Sequence, residues 1–523
     1  MKDLLPILAD ALVAEDVRAV FGVPGSGPSL QLITLLESRG VPFYGTAHEA
    51  AGAVMAGAFG RQSGSLGCSV SIKGPGLANM APGMLTNLYE QLPALSVSEA
   101  YGADAPASRM HKRLDHQAAT AWCAKAYATL GAPRDTVARL AATAREEVPG
   151  PVHLDLATSR EPLFIRRGLR GSANGSAARD WDGLLSMLER SRRPLVIAGG
   201  LADRRGWGAK LSALRVPVMT TVMAKGLVDE TLPHAAGVYT GEGQALSPEA
   251  QIVPQADLVI GLGLRNLEVL TPKPFGAPLV LVDSIGGSLA GGFEPLKTCS
   301  FGAEQDTEAL WARLAERAWG ADLVGESTRR VRERLLSGEW LPGPLFAQLE
   351  DALPGIGCFV TDTGLFCTVA EHVWRVRPRQ RFFASSNGRS MGTALPMAIG
   401  AALANRTSPT VCAAGDGGIG MYAAELKLAI DARLPLLILF LTDGRYASVS
   451  SAPQARGLSR KATTIPRPSW YRAVDALGCP ADQVKDAGAF RASVREWSWK
   501  DGPRFIEAVF DPDRYASMTE GLR

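Results

Sequence analysis

The residues best suited to chemistry lie late in the chain. Ala414-Gly415-Asp416-Gly417-Gly418-Ile419-Gly420 joins an apolar run to a helical one, and Thr442-Asp443-Gly444-Arg445 follows the next apolar run, Pro435 to Leu441. The order strand, glycine turn, helix places Asp416 at the carboxyl end of a parallel strand, where α/β sheets receive ligands and the N–H groups of the turn face outward. That is a phosphate site. Asp443 comes 27 residues later, one helix and one strand on, which returns the chain to the same sheet edge. Two carboxylates there, completed by phosphate oxygens and a carbonyl, suit Mg²⁺. An Asp-Gly pair alone is an ordinary turn former, so it is the two in register that point to a site.

The elements that must carry these residues recur three times along 523 residues, as short apolar strands alternating with helical patterns, the signature of parallel α/β sheets. The first stretch has strands near Ala19 to Val23, Gly67 to Ile72, Ala94 to Ser98 and Pro151 to Leu156, with helices over Ala50 to Gln62 and Leu77 to Glu90. The second has strands near Pro194 to Ala198, Val216 to Thr221, Asp257 to Leu262 and Pro278 to Val282. The third has Gly357 to Thr361, Phe382 to Ser385, Pro409 to Ala414, Leu436 to Leu441 and Arg504 to Phe510. The fold class is therefore α/β, three doubly wound, mostly parallel domains over 1–164, 180–323 and 345–523. A linker rich in Arg, Gly and Ser is expected over 165–178, and a cover over the site from 446 to 465.

Composition narrows the partners. A formal charge of +3 gives no electrostatic case for nucleic acid or an anionic membrane, and no apolar run reaches the roughly 18 residues of a membrane span. Seven cysteines without a CxxC pair suggest neither a disulfide framework nor a zinc site. A small-molecule enzyme of the cytoplasm is the expectation.

The Gly-Asp-Gly turn, helix, strand and following Asp resemble the diphosphate and metal motif of thiamine diphosphate enzymes, and four further segments agree. Phe21-Gly22-Val23-Pro24-Gly25-Ser26, Ala47-His48-Glu49-Ala50-Ala51 and Gly74-Pro75-Gly76-Leu77-Ala78-Asn79 look like pyrimidine-domain signatures of the acetolactate synthase and benzoylformate decarboxylase branch. Ser390-Met391-Gly392-Thr393-Ala394-Leu395-Pro396 looks like its thiazole-contacting segment. The resemblance spans all three domains in the family's order: pyrimidine-binding, central, diphosphate-binding.

It implies roles residue by residue. Glu49 would hydrogen-bond the cofactor's pyrimidine N1′, and Met391 would be the bulky side chain that folds the cofactor's two rings together. Gly25, Asn79, Gly392, Gly415, Gly417 and Gly418 would line the cofactor, while Asp416, Asp443 and the backbone carbonyl of Arg445 would hold Mg²⁺. Asp443 stands where the family more often has Asn. On the substrate side the candidates are Ser26, Lys73 (where the family normally has a small hydroxyl residue), and His116 or Gln117 reaching the carbonyl from a partner subunit. Arg265 resembles the central-domain arginine near FAD in acetolactate synthases, but Asn266-Leu267-Glu268 replaces the acidic residues that usually follow, so FAD stays open. The implied activity is decarboxylation of a small 2-oxo acid, ending in release of an aldehyde or in addition to an aldehyde or ketone acceptor. The implied assembly is a homodimer with shared sites, or a tetramer built from two dimers. Cleavage of a 2-hydroxy ketone or an acyl-CoA without loss of CO₂ is the second reading, and a non-catalytic cofactor-binding subunit the third.

Overall fold

A computed structural model describes residues 3–523 except 103–104, 107, 159–160, 169–179, 286–288, 339 and 450–458. Most of the linker expected over 165–178 and the middle of the cover expected over 446–465 lie outside the described residues.

Three sheets organise the chain. The first contains β1 (Val20–Val23), β2 (Phe43–Gly45), β3 (Gly67–Ser71), β4 (Ala94–Glu99), β5 (Ala126–Leu130), β6 (Pro151–Thr158) and β7 (Phe164–Arg166). The second contains β8 (Pro194–Ala198), β9 (Val218–Thr220), β10 (Ala235–Val238), β11 (Leu258–Leu262), β12 (Leu279–Asp283) and β13 (Lys297–Ser300). The third contains β14 (Cys358–Thr361), β15 (Arg381–Ala384), β16 (Thr410–Gly415), β17 (Leu436–Thr442), β18 (Ala481–Val484) and β19 (Arg504–Val509). Among the described residues all strand pairs are parallel except β5 with β7, which extends the first sheet slightly past residue 164. Burial on both faces explains why the inner strands read as near-continuous apolar runs.

The first and third sheets are wound identically: β2-β1-β3-β4-β6-β5 in one and β15-β14-β16-β17-β19-β18 in the other. Strand order reverses between β1 and β3 and between β14 and β16, and such reversals open a crevice at the carboxyl ends of the strands. Gly25 follows β1 and Lys73 follows β3; Asp362 follows β14 and Asp416 follows β16.

The two domains meet through helices Glu49–Ser63 and Ala394–Ala404. Both are rich in Ala, and Ala51, Val54, Met55 and Ala58 form one buried cluster with Ala394, Ala398, Ile399 and Ala402. The backbones approach closely enough that a Cβ on Gly400 would stand 2.4 Å from the Met55 carbonyl oxygen. Burying this apolar surface contributes about 25 cal/mol per Å², and it fixes two helix starts, each bearing a candidate site residue: Glu49 on one, and Met391 just before the other. Among the described residues no helix is long and apolar enough to cross a membrane.

Candidate active site

In the third domain β16 delivers Asp416 to the first position of the short helix Asp416–Ile419. Its Oδ1 accepts from the Thr442 hydroxyl (2.7 Å), and its Oδ2 accepts from the N–H groups of Asp443 and Gly444 (2.9 Å each). The carboxylate thus ties the ends of two adjacent parallel strands together. Asp443 is buried beside it, and its Oδ2 has no hydrogen-bond partner among the described residues. Burial, then the neighbouring Asp416 charge, pushes the Asp443 carboxyl up to about 6. Arg445 points away, donating to Asp513 at 2.9 Å.

The space in front is a small cavity of about 30 Å³ bordered by Gly417, Met391, Tyr446 and Tyr515 as well as the two aspartates. A Cβ on Gly417 would lie 2.7 Å from the Tyr446 ring and 3.0 Å from the Met391 sulfur, and one on Gly418 would collide with Asp362 at 1.9 Å. Met391 is 38% exposed, an uncommon setting for a large apolar side chain beside a polar crevice. Gly392 takes a left-handed φ of +82° and donates its N–H to Asp362 at 2.8 Å. Asp362 is itself buried, one of its oxygens lacks a partner among the described residues, and burial raises its carboxyl to about 7 despite N–H donors from Gly392, Thr363 and Ala394.

These features fit the groups the resemblance implies. An orphaned buried carboxylate oxygen beside a second carboxylate is the donor chemistry of a hard divalent cation. Side-chain-free Gly417 and Gly418 leave backbone room for a diphosphate.

In the first domain Glu49 opens its helix, is nearly buried, and accepts from Asn79 Nδ2 through Oε2 at 3.1 Å. The residues before it are clamped by the third domain: the Glu425 carboxylate accepts from the Ala47 and His48 N–H groups at 3.0–3.1 Å. Helix Pro75–Tyr89 carries Asn79 near its start. Beyond its end, the buried Glu90 accepts from the N–H groups of Ser386, Asn387 and Gly388 and from the hydroxyls of Ser385 and Ser386. That loop leads straight into Met391.

On the substrate side the structure separates the candidates. Lys73 pairs with Glu99 at 3.3 Å and lies over the Tyr101 ring. Burial opposes the Glu99 charge, but the hydroxyl and N–H of Ser29 together with Lys73 hold the carboxyl below its ordinary value. Gly25 is buried against Glu99, whereas Ser26 and Gln117 are exposed. His116 does not fit the expectation that it presents its ring to substrate. The ring is buried, with Nδ1 against Asp155 (2.7 Å) and Nε2 accepting from the Gly74 N–H (3.0 Å), so neither nitrogen is free. Asp155 also receives His153 and Tyr127, which makes this a closed internal network.

The central domain does not fit a flavin. The buried Glu268 takes the place that a dinucleotide diphosphate would need at the ends of β8 and β9: Oε2 accepts from the Gly200 N–H (2.7 Å) and the Thr221 hydroxyl (3.0 Å), and Oε1 from Gln91 Nε2 (3.0 Å). Arg265 is fully buried between Asp283 and Glu147 and has no fork left for a phosphate.

Sequence reasoning missed Asp362, Glu90, Glu99, Glu268 and Glu425. Each accepts hydrogen bonds from backbone or side chains far away in sequence, so no local spacing marks it.

The comparisons agree with this architecture. Residues 3–119, 182–288 and 362–508 match, in that order, the N-terminal TPP binding domain, the central domain and the C-terminal TPP binding domain of thiamine pyrophosphate enzymes. A probable 2-ketoarginine decarboxylase of Pseudomonas aeruginosa is 26% identical, over 94% of this chain and 91% of its own length. The acetolactate synthase isozyme 2 large subunit of Escherichia coli is 25% identical, over 96% and 94%. A probable acetolactate synthase large subunit of Methanocaldococcus jannaschii is 22% identical, over 96% and 91%. With all three domain matches in order on three sheets of the right kind, the chain belongs to the thiamine pyrophosphate enzyme family.

Proposed function

We propose that this protein is a thiamine diphosphate- and Mg²⁺-dependent decarboxylase or carboligase of a small 2-oxo acid, working in the cytoplasm as a homodimer, or a pair of dimers, with sites shared between chains. The observation that carries the reading is the half-buried Asp416 beside the buried Asp443 at the ends of adjacent parallel strands, with one Asp443 oxygen unpartnered among the described residues. The decarboxylase and acetolactate synthase relatives support a 2-oxo acid as substrate.

When bound, the cofactor supplies a nucleophilic carbon and an electron sink. The residues of this chain bind it and order its surroundings. Asp416 and Asp443 would hold the metal, with Gly417 and Gly418 giving the diphosphate access to backbone N–H groups. Met391 supplies apolar bulk, steered by the loop that Glu90 grips. Glu49 would offer its buried carboxyl to the cofactor's pyrimidine ring, and Asn79 fixes the orientation of that carboxyl. Lys73 stands just past the end of β3, and its ion pair with Glu99 sets its position. His116 acts at a distance, by fixing the Gly74 N–H at the start of the helix that carries Asn79.

The test is CO₂ evolution from a panel of 2-oxo acids, with and without an aldehyde acceptor, using wild type and Glu49→Gln. The reading expects CO₂ from at least one acid and a loss of about 10² to 10⁴ in kcat in the variant, with bound cofactor retained by thiochrome fluorescence. Cleavage of a 2-hydroxy ketone with no CO₂ from any acid would move the assignment to a non-decarboxylating lyase.

A further inference from the structure

Where the three domains meet, a cavity of about 470 Å³ carries four guanidinium groups on its walls, Arg61, Arg145, Arg204 and Arg381. Arg61 and Arg145 come from the first domain, Arg204 from the central domain and Arg381 from the start of β15 in the third. The carboxylates lining the same space are Glu90 and Asp203. Glu90 is already saturated by donors from residues 385–388, and Asp203 pairs with Arg381 at 3.2 Å. Arg145 is held by Glu15 and Arg204 by Glu147, both from outside the cavity.

Arg61 differs from the other three. Among the described residues no carboxylate lies within ion-pair distance of it. Its Nη2 donates to the Met223 carbonyl at 2.9 Å, and its guanidinium lies over the Phe383 ring at 4.4 Å. Burial lowers its affinity for its proton, and the nearby Arg381 adds to that, opposed by Asp203, Glu90 and Cys358. A desolvated cation without a counter-charge is disfavoured unless an anion arrives to pair with it. Planar guanidinium forks on different walls match the several oxygens of a tetrahedral oxyanion better than a single carboxylate would. The volume is that of a small-molecule site and exceeds what a bare ion needs. A flavin is not the occupant, because Glu268 already holds the Gly200 N–H on the adjoining wall.

We propose that this cavity is a second anion site, separate from the thiamine diphosphate site, which takes a small phosphate-bearing molecule between Arg61 of the first domain and Arg381 of the third, against a wall formed by the central domain. A ligand of this kind binds the assembled chain and not the unfolded one, so it raises stability by mass action.

The experiment uses the holoenzyme with thiamine diphosphate and Mg²⁺ at saturation, so that the diphosphate site is filled. Thermal unfolding is followed against sodium phosphate, with sodium chloride at matched ionic strength as the control, in wild type, Arg61→Met and Arg381→Met. The expected result is a saturable rise in Tm with phosphate, and an apparent affinity at least tenfold weaker in both variants. Equilibrium dialysis of labelled phosphate should show one additional equivalent per chain. A parallel series with glycerol 2-phosphate separates the sources: tighter binding than phosphate identifies an ester as the natural ligand, and equal binding identifies the free ion. A shift no larger than that of chloride overturns the proposal, as does an equal shift in wild type and variants. If Arg61→Met does not fold, Arg381→Met decides the outcome.

Discussion

At the scale of single residues, the site is a set of carboxylates tuned by burial. Asp443, raised to about 6 by burial and by Asp416, must lose its proton before it can hold a cation. Apparent Mg²⁺ affinity should therefore rise with pH, by up to about tenfold per unit below pH 6, and level off above it. Asp443→Asn should keep activity but flatten that dependence, which Mg²⁺ titrations of cofactor binding between pH 5 and 8 would show. Asp362 makes a second prediction. Its folded-state value of about 7 lies above the roughly 4 of an unfolded Asp, so the folded state binds the extra proton in that window. Its contribution is then most favourable near pH 4 and is lost as pH rises through 7. Relative to wild type, Asp362→Asn should remove a slope amounting to a few kcal/mol, on the order of 1.4 per unit of difference, as read by denaturant unfolding of the cofactor-free protein between pH 4 and 7. Asp416 and Asp443 were legible in the sequence because glycine turns at one sheet edge announce themselves locally. Asp362, in Thr361-Asp362-Thr363-Gly364, carries no comparable mark, since its partners Gly392 and Ala394 are brought to it only by the crossover from β15.

At the scale of elements, the helix Pro75–Tyr89 works as a strut. Asn79 near one end touches Glu49, and Glu90 just past the other end collects the N–H groups of residues 386–388. Replacing Glu90 by Gln puts an amide N–H₂ among donors that need an acceptor, which should cost about 1–3 kcal/mol and weaken cofactor binding beyond what the loss of stability explains. Cofactor titration monitored alongside Tm would separate the two effects. The inner strands were readable because two-sided burial demands apolar residues throughout. Edge or short strands such as Ala481–Val484, half polar, and Phe43–Gly45, three residues long, gave no such signal. The helical run expected after the glycine turn becomes an α-helix only at Leu426. Before it lies a 3₁₀ turn, Ala423–Glu425, whose last residue reaches across to Ala47 and His48. A tertiary contact of that range has no sequence period.

At the scale of the whole molecule, the shared-site reading makes a sharp prediction. If Glu49 of one chain works with Asp416 of another, mixing unfolded Glu49→Gln and Asp416→Ala chains and refolding them together should restore activity. Half of the dimers would be mixed and one of the two sites in each would be intact, giving about one quarter of wild-type turnover. Sites built within single chains would restore none. The central domain separates in the same way: no flavin should co-purify, as absorbance near 450 nm would show, because Glu268 fills the nest between Gly200 and Thr221.

The matching strand order of the outer sheets reaches further than the placement of any one loop. One path of the chain is travelled twice, with Lys73 and Asp416 standing at equivalent corners and Gly25 and Asp362 at another pair. That is the imprint expected of an ancestral unit that was doubled and then diverged, with acidic residues at the strand tips of one copy and Gly25 and Lys73 at those of the other. Kinship between the halves survives in the route, while the residues at the corners have parted completely.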